Sequence, residues 1–431
     1  MQQIGIGLAG MGNVGAGVYK HLTQNRALLR ERLGFELTVN KIAVRDLAKD
    51  RGMAVPTALL TTDAGALLDD PSIQIVVELM GQKEESLRLV LGAIERKKIV
   101  VTGNKALLAE HGKEIFEAAS LHKVPVFFEA AVGGGIPIIK SIREAFVANH
   151  IQSIHGIING TSNYILTRMT EAGMGFAEAL AEAQAAGYAE ADPTLDVNGG
   201  DAAHKAIILA SLAYGFWVTG DRIFVEGIED LTASDISFAR RLGYVIKLLG
   251  IIKADPDGQI EVRVHPTLVP EKHVLASVNG VFNAMAVKGD IVGDTLFYGR
   301  GAGQDATSSA VISDLAEAAD ALQSPRRNLG FMPHGLYGTC KPIDQIVSEY
   351  YLRISVEDRP GVIAQIAGIL GEHSIGISSI LQPEGDEGAT VPLVLMIHRA
   401  TNGQMSGALA KISALACVKK APRMIRVEHF S

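Results

Sequence analysis

A short apolar run that ends in a glycine-rich turn and opens a helix sets the first constraint on this chain. Residues 3–15 read QIGIGLAGMGNVG, with Gly10, Gly12 and Gly15 in the spacing G-x-G-x-x-G. Gly10 permits the tight turn, Gly12 lets backbone approach a pyrophosphate, and Gly15 lets strand and helix pack closely. The helix start, with Asn13 and Val14, adds N–H donors and a positive dipole end. These five positions are therefore candidate dinucleotide contacts; a plain glycine-rich turn is the alternative. Strand patterns LTVNKIAVR, IQIVVELMG, IVVTGN and VPVFFEA follow, alternating with helical patterns over about 14–32, in SLRLVLGAIERKK and over 106–120. That alternation predicts an α/β fold with a doubly wound parallel sheet.

At 431 residues the chain is too long for one core, and two or three domains are expected. A net charge of -7 without any long Lys/Arg run argues against nucleic acid or an anionic membrane as partner. No apolar run reaches the length of a membrane span, and no basic leader with a cleavable apolar stretch stands at the N-terminus. Two cysteines, Cys340 and Cys417, make no disulfide framework, so a cytoplasmic setting is expected. Residues 333–347, with Pro333, Gly335, Gly338 and Pro342, read as linker. After them YYLRISVEDRPGVIAQIAGIL opens a βαββαβ order.

Three further places carry candidate chemistry. The second strand ends in Arg45, whose forked cation suits a 2′-phosphate and so NADP, although Asp46 beside it could serve NAD. TGNKALL puts Lys105 after a strand, at the sheet edge where ligands bind and at a helix start where a cation is unfavourable. Residues 187–205, GYAEADPTLDVNGGDAAHK, gather Glu190, Asp192, Asp196 and Asp201 with one lysine, Lys205. Gly199 and Gly200 predict a helix starting near Asp201, with Asp201 and Lys205 on one face. Partial desolvation there would lower the lysine pKa. A site for a cation-bearing small molecule and a solvated acidic loop are both open readings of this stretch. FFEAAVGGGIPII at 127–139 is either a glycine hinge or a loop that turns carbonyls inward.

Taken in order and spacing, the cradle, TGNKALL, GIINGTSNYILTRM and GYAEADPTLDVNGGDAAHK resemble homoserine dehydrogenases from residue 3 to about 325. The resemblance implies a Rossmann-type domain over 1–130, completed by 304–325, and an α+β catalytic and dimerisation domain over 131–303. It implies reversible NAD(P)H-dependent reduction of L-aspartate 4-semialdehyde to L-homoserine, a step toward threonine and methionine. Lys205 would donate the proton and Lys105 would act beside it, also touching cofactor. Glu190, Asp201, Asp196, Gly187, Asn159 and Thr161 would bind substrate, and Gly303 would join Arg45 on the cofactor. A sodium ion would sit on Glu129 and the carbonyls of Val132, Gly134 and Ile136. Beyond a linker at 326–348, residues 349–431 resemble an ACT domain, with Asp358 and Gly361 at the turn where an amino acid such as L-threonine would bind. ACT units pair side by side, so a homodimer or homotetramer is implied. Another Rossmann oxidoreductase, or a non-enzymatic amino-acid sensor, are the competing readings.

Overall fold

The computed structural model describes residues 2–324, 330–383 and 388–430. The start of the expected linker, 326–329, lies outside them. Strand β1 (Gln3–Ala9) leads into α1 (Asn13–Gln24) and α2 (Arg26–Leu33), then β2 (Glu36–Ala43), β3 (Leu60–Thr61) and α3 (Ala66–Asp69). Next come β4 (Ile75–Glu78), α4 (Lys83–Glu95), β5 (Ile99–Thr102), α5 (Lys105–His122) and β6 (Val126–Phe127). These strands make a parallel sheet in the order β3-β2-β1-β4-β5-β6. Residues of β4 and β5 are buried without exception, as strands covered on both faces require. The single helix expected over 14–32 is two, broken at Asn25. VPVFFEA yields only two strand residues, because the chain turns at Phe128 into a 3-10 turn over Glu129–Ala131.

The middle of the chain is more regular than its sequence pattern implies. Helix α6 (Ile138–Lys140) is followed by β7 (Ile151–Ile157), α7 (Gly160–Ala172), α8 (Phe176–Ala185), α9 (Thr194–Val197) and α10 (Gly200–Tyr214). Then come β8 (Phe224–Val225), α11 (Ala233–Arg241), β9 (Tyr244–Ala254), β10 (Gln259–Pro270), β11 (Phe282–Gly289) and β12 (Gly293–Arg300). Helix α12 (Gln304–Gln323) returns to the first sheet: its Val311, Leu315 and Ala319 share a core with Ile4, Ile6 and Leu8 of β1. Fully burying one such aliphatic side chain contributes about 1.5–3 kcal/mol.

Strand β13 (Thr339–Cys340) pairs with β10, so part of the expected linker is fastened to the sheet. The remainder runs β14 (Val347–Glu357), α13 (Val362–Glu372), β15 (Ile377–Leu381), β16 (Thr390–Thr401), α14 (Asn402–Ser413) and β17 (Arg423–Val427), the βαββαβ order. This unit has its own core around Leu352, Ile366, Leu393 and Met405. Its sheet is nonetheless continuous with that of the middle domain, in the order β12-β11-β7-β9-β10-β17-β14-β16-β15. One edge of β10 pairs antiparallel with β9. The other edge is covered in succession by three short parallel segments: β13 at Gln259–Ile260, β8 at Arg263–Val264 and β17 at Thr267–Leu268.

Candidate active site

The site forms where the carboxyl ends of the parallel strands face the start of α10. On the first side lies the glycine turn. Gly10 has φ +94, and a Cβ on Gly15 would lie 2.1 Å from the Gly10 carbonyl oxygen, so neither position accepts a side chain. A Cβ on Gly12 would meet nothing within 4 Å, leaving its backbone open to a ligand. A cleft of about 520 Å³ runs from this turn past Arg45 to Lys49 and Arg51, with Leu79 and Met80 on the far wall. Asp46, the candidate for NAD, is used locally: its Oδ1 accepts the Ala48 N–H at 2.8 Å and its carbonyl accepts from the Arg51 guanidinium. Gly303, with φ +112, precedes α12, and Gln304 donates to the carbonyl and Oδ1 of Asn13 at 3.0 and 3.2 Å. Val14 packs against the first core.

On the second side three charged groups meet. Asp201 and Lys205, both buried, lie one turn apart on α10. Lys205 Nζ donates to Asp201 Oδ2 and to the Ile158 carbonyl, each at 2.7 Å. Lys105, half-exposed at the first residue of α5, brings its Nζ to 2.9 Å from Asp201 Oδ1. One carboxylate thus joins lysines from the two domains. Burial pushes the Asp201 carboxyl upward, but the ammonium groups of Lys205 and Lys105 outweigh it and hold it well below the usual carboxylate range. The two amines move in opposite directions. Burial, aided by the Lys105 charge, lowers the Lys205 pKa despite Asp201. For Lys105, burial is overcome by Asp201, Asp196 and Glu190, and its pKa rises.

The other acidic residues divide. Glu190 is exposed and Asp196 half-buried, and both charges act on Lys105. Asp192 instead makes a local turn just before α9, its Oδ1 accepting the Thr194 N–H at 3.1 Å and hydroxyl at 2.6 Å. The buried Asn159 bridges the cluster: its Nδ2 donates to Asp196 Oδ1 at 2.7 Å and Asp201 Oδ2 at 2.9 Å, while its Oδ1 accepts the Ser162 N–H. The Thr161 hydroxyl donates to the Tyr188 carbonyl at 2.7 Å, and Gly187, with φ +74, ends α8 just before it. These bonds of Asn159 and Thr161, the two residues expected on the substrate, shape the acidic loop.

Two family models described as homoserine dehydrogenase match the chain, the NAD-binding domain at residues 10–129 and the catalytic part at 137–316. An ACT model matches 350–417. A homoserine dehydrogenase of Pseudomonas aeruginosa is 46% identical over 100% of both chains, and that of Neisseria gonorrhoeae 44% identical over 99% of each. The crystal structure of a homoserine dehydrogenase from Thiobacillus denitrificans superposes with a TM-score of 0.94 at 45% identity, covering 99% of both. The chain belongs to the homoserine dehydrogenase family.

Within this homoserine dehydrogenase fold, two outlying sets complete the picture. Both Glu129 carboxylate oxygens accept backbone N–H groups at the start of α6, from Ile139 at 2.9 Å and Lys140 at 2.8 Å. Gly133 and Gly134, with φ +75 and +51, then turn the chain, and the Ile136 carbonyl accepts the Ile138 N–H at 2.8 Å. Among the described residues no group of three or more His, Cys, Asp or Glu could hold a metal ion. In the ACT unit, Asp358 and Gly361 line a cavity of about 470 Å³ with Arg359, Pro360 and Gln382, and Gln382 donates to Asp358 at 3.0 Å. No described helix is long and apolar enough to cross a membrane. Sequence reasoning missed Lys49 and Arg51; two bases four and six residues beyond Arg45, in a turn after a strand, were the signal available.

Proposed function

We propose that the chain catalyses NADP-linked, reversible reduction of L-aspartate 4-semialdehyde to L-homoserine on the route to threonine and methionine. The carrying observation is the Lys105–Asp201–Lys205 constellation, which joins the start of α5 in the dinucleotide domain to α10. The nicotinamide, when bound, supplies or receives the hydride. The chain must then deliver a proton to the carbonyl oxygen and stabilise the developing alkoxide. Lys205, with its lowered pKa, is suited to the proton. Lys105, kept charged, is suited to the oxygen's negative charge. Glu190 and Asp196 leave a negative rim for the substrate ammonium. Arg45, Lys49 and Arg51 support NADP over NAD, since three bases on one cleft wall match a 2′-phosphate.

The test is oxidation of L-homoserine followed at the nicotinamide absorbance with each cofactor. NADP is expected to give the higher kcat/KM. Arg45→Ala should erode that advantage by about tenfold, the loss of one charge-assisted phosphate contact of roughly 1.5 kcal/mol. Absence of turnover with either cofactor would leave only a sensor.

Three parts of the reading lie beyond the reaction. Sodium on the Val132, Gly134 and Ile136 carbonyls and Glu129 is supported by the glycine turn and by the second lone pair each oxygen keeps. The same assay with sodium replaced by choline tests it: an unchanged melting temperature and rate would remove the ion. Assembly into a homodimer or homotetramer is supported by the sheet edge β12, which exposes Leu296 and Tyr298; light scattering of the purified chain reads it directly. Threonine in the Asp358–Gly361 cavity should slow turnover in the intact chain and not in Asp358→Ala. Equal rates with and without threonine would reduce the ACT unit to an assembly module.

A further inference from the structure

Glu78 has no role in the chemistry just described, yet it is a fully buried carboxylate at the end of β4. The order in which the chain adds strands to the parallel sheet reverses between β1 and β4, and the carboxyl ends at such a switch point border the ligand crevice. Three donors converge on it. Glu78 Oε1 accepts the Met80 N–H at 2.8 Å and the Ser86 hydroxyl at 2.7 Å, and Oε2 accepts the Thr102 hydroxyl at 2.7 Å. Thr102 Oγ1 in turn accepts the Asn104 N–H at 3.0 Å. The Asn104 side chain caps α5 by accepting the Leu107 N–H at 3.1 Å, and its Nδ2 lies 3.4 Å from Ser86 Oγ, which closes the circuit. Among the described residues no cation forms a salt bridge with Glu78. A buried carboxylate held only by hydrogen bonds is an expensive way to finish an apolar strand. What the circuit provides is placement. Asn104 immediately precedes Lys105, whose amine must cross to Asp201 on the other domain. Met80 stands in the wall of the cofactor cleft.

We infer that Glu78 is a positioning residue: through Thr102 and Asn104 it sets the start of α5 and hence Lys105 beside Asp201, and through Met80 it fixes the adjoining wall of the cofactor cleft. This rests on the proposed reaction.

The experiment uses the full chain in the homoserine oxidation assay, with Glu78→Gln, Thr102→Val, the double variant and Thr102→Ser. Displacement of about 1 Å at a reacting group costs on the order of 100-fold. Each of the first two variants should therefore lower kcat by about tenfold to 100-fold. The double variant should be no worse than the weaker single one, because both break one circuit. Thr102→Ser, which keeps the hydroxyl, should restore the rate.

A merely structural role would not move the pH profile, and this one should. Lys205 is faced by Asp201 on its own helix, Lys105 from α5, Asp196 from α9 and the Ile158 carbonyl. Withdrawal of the Lys105 charge frees Lys205 to hold its proton more tightly. The rising limb of kcat/KM for oxidation should then shift to higher pH in Glu78→Gln and Thr102→Val. Wild-type kcat in both variants overturns the inference. So does a rate loss that merely tracks the unfolded fraction, with the pH limb unmoved. An inactive wild type would instead overturn the proposed reaction.

Discussion

Lys205→Met is expected to lower kcat by about 100- to 10,000-fold, the range that a positioned acid–base group contributes, while cofactor affinity stays unchanged. The methionine keeps the length and apolar packing of a residue that is only 8% exposed. It removes the proton and the bonds to Asp201 and the Ile158 carbonyl. The sign of the pH dependence follows from the environment. On the proposed reaction, oxidation of the alcohol needs neutral Lys205 to take the proton, and reduction of the aldehyde needs the charged form to give it. Because burial lowers the Lys205 pKa, the oxidation rate should rise at lower pH than an ordinary lysine allows, and the reduction rate should fall over the same interval. Steady-state rates in both directions, with cofactor binding followed by nicotinamide fluorescence, check this. A variant that keeps its rate and its pH limb would move the proton to Lys105 or water.

Asp201→Ala carries the second large effect, on stability and rate together. Asp201 accepts from Lys105, Lys205 and Asn159 at once, so its removal strands a buried amine and opens the only direct ion pair between α5 and α10 among the described residues. Removing one partner of a buried pair costs about 3–5 kcal/mol when the other must stay charged. Lys205 can escape part of that cost by releasing its proton. Its folded pKa then lies further below the unfolded value, the unfolded chain binds more protons, and stability rises with pH between the two. The gap in melting temperature between Asp201→Ala and wild type should therefore be widest at acidic pH and narrow as pH rises. A constant gap would mean that the Lys205 charge is not what the aspartate balances. In the native protein the sign is the same for Asp201 itself, at lower pH. Its depressed pKa contributes stability above the ordinary carboxylate range, and this is lost only in strong acid.

What could be read from the sequence was what repeats locally. The glycine turn is legible because only glycine tolerates φ +94 at Gly10 and the close approach at Gly15. The start of α10 is legible from Gly199, with φ +86, and the Asp201–Lys205 pair from one helical turn. The pairing of Lys105 with Asp201 is not, since it depends on how two domains face each other. Asn159 shows the same limit: its residue type announces polar contact, and only packing shows that it reaches Asp196 and Asp201. Glu78 sat inside an apolar strand pattern, where a lone acid at a strand end has no visible partner. The ACT unit was legible from its βαββαβ order, but its merging with the middle sheet rests on two residue pairs remote in sequence.

The edge of β10 that is shared among β8, β13 and β17 also dictates an order of events during synthesis. The ribosome delivers β8 before β10, so the central third of that edge, at Arg263–Val264, has its partner at once. The Gln259–Ile260 end waits until Thr339 and Cys340 emerge, and the Thr267–Leu268 end waits until Arg426 and Val427, near the end of the chain. Until then a strand of buried residues presents unpaired backbone to other nascent copies. Completing the middle sheet is thus a late step that depends on the ACT unit, and a ribosome that stops short of the last strand releases a sheet with an open side.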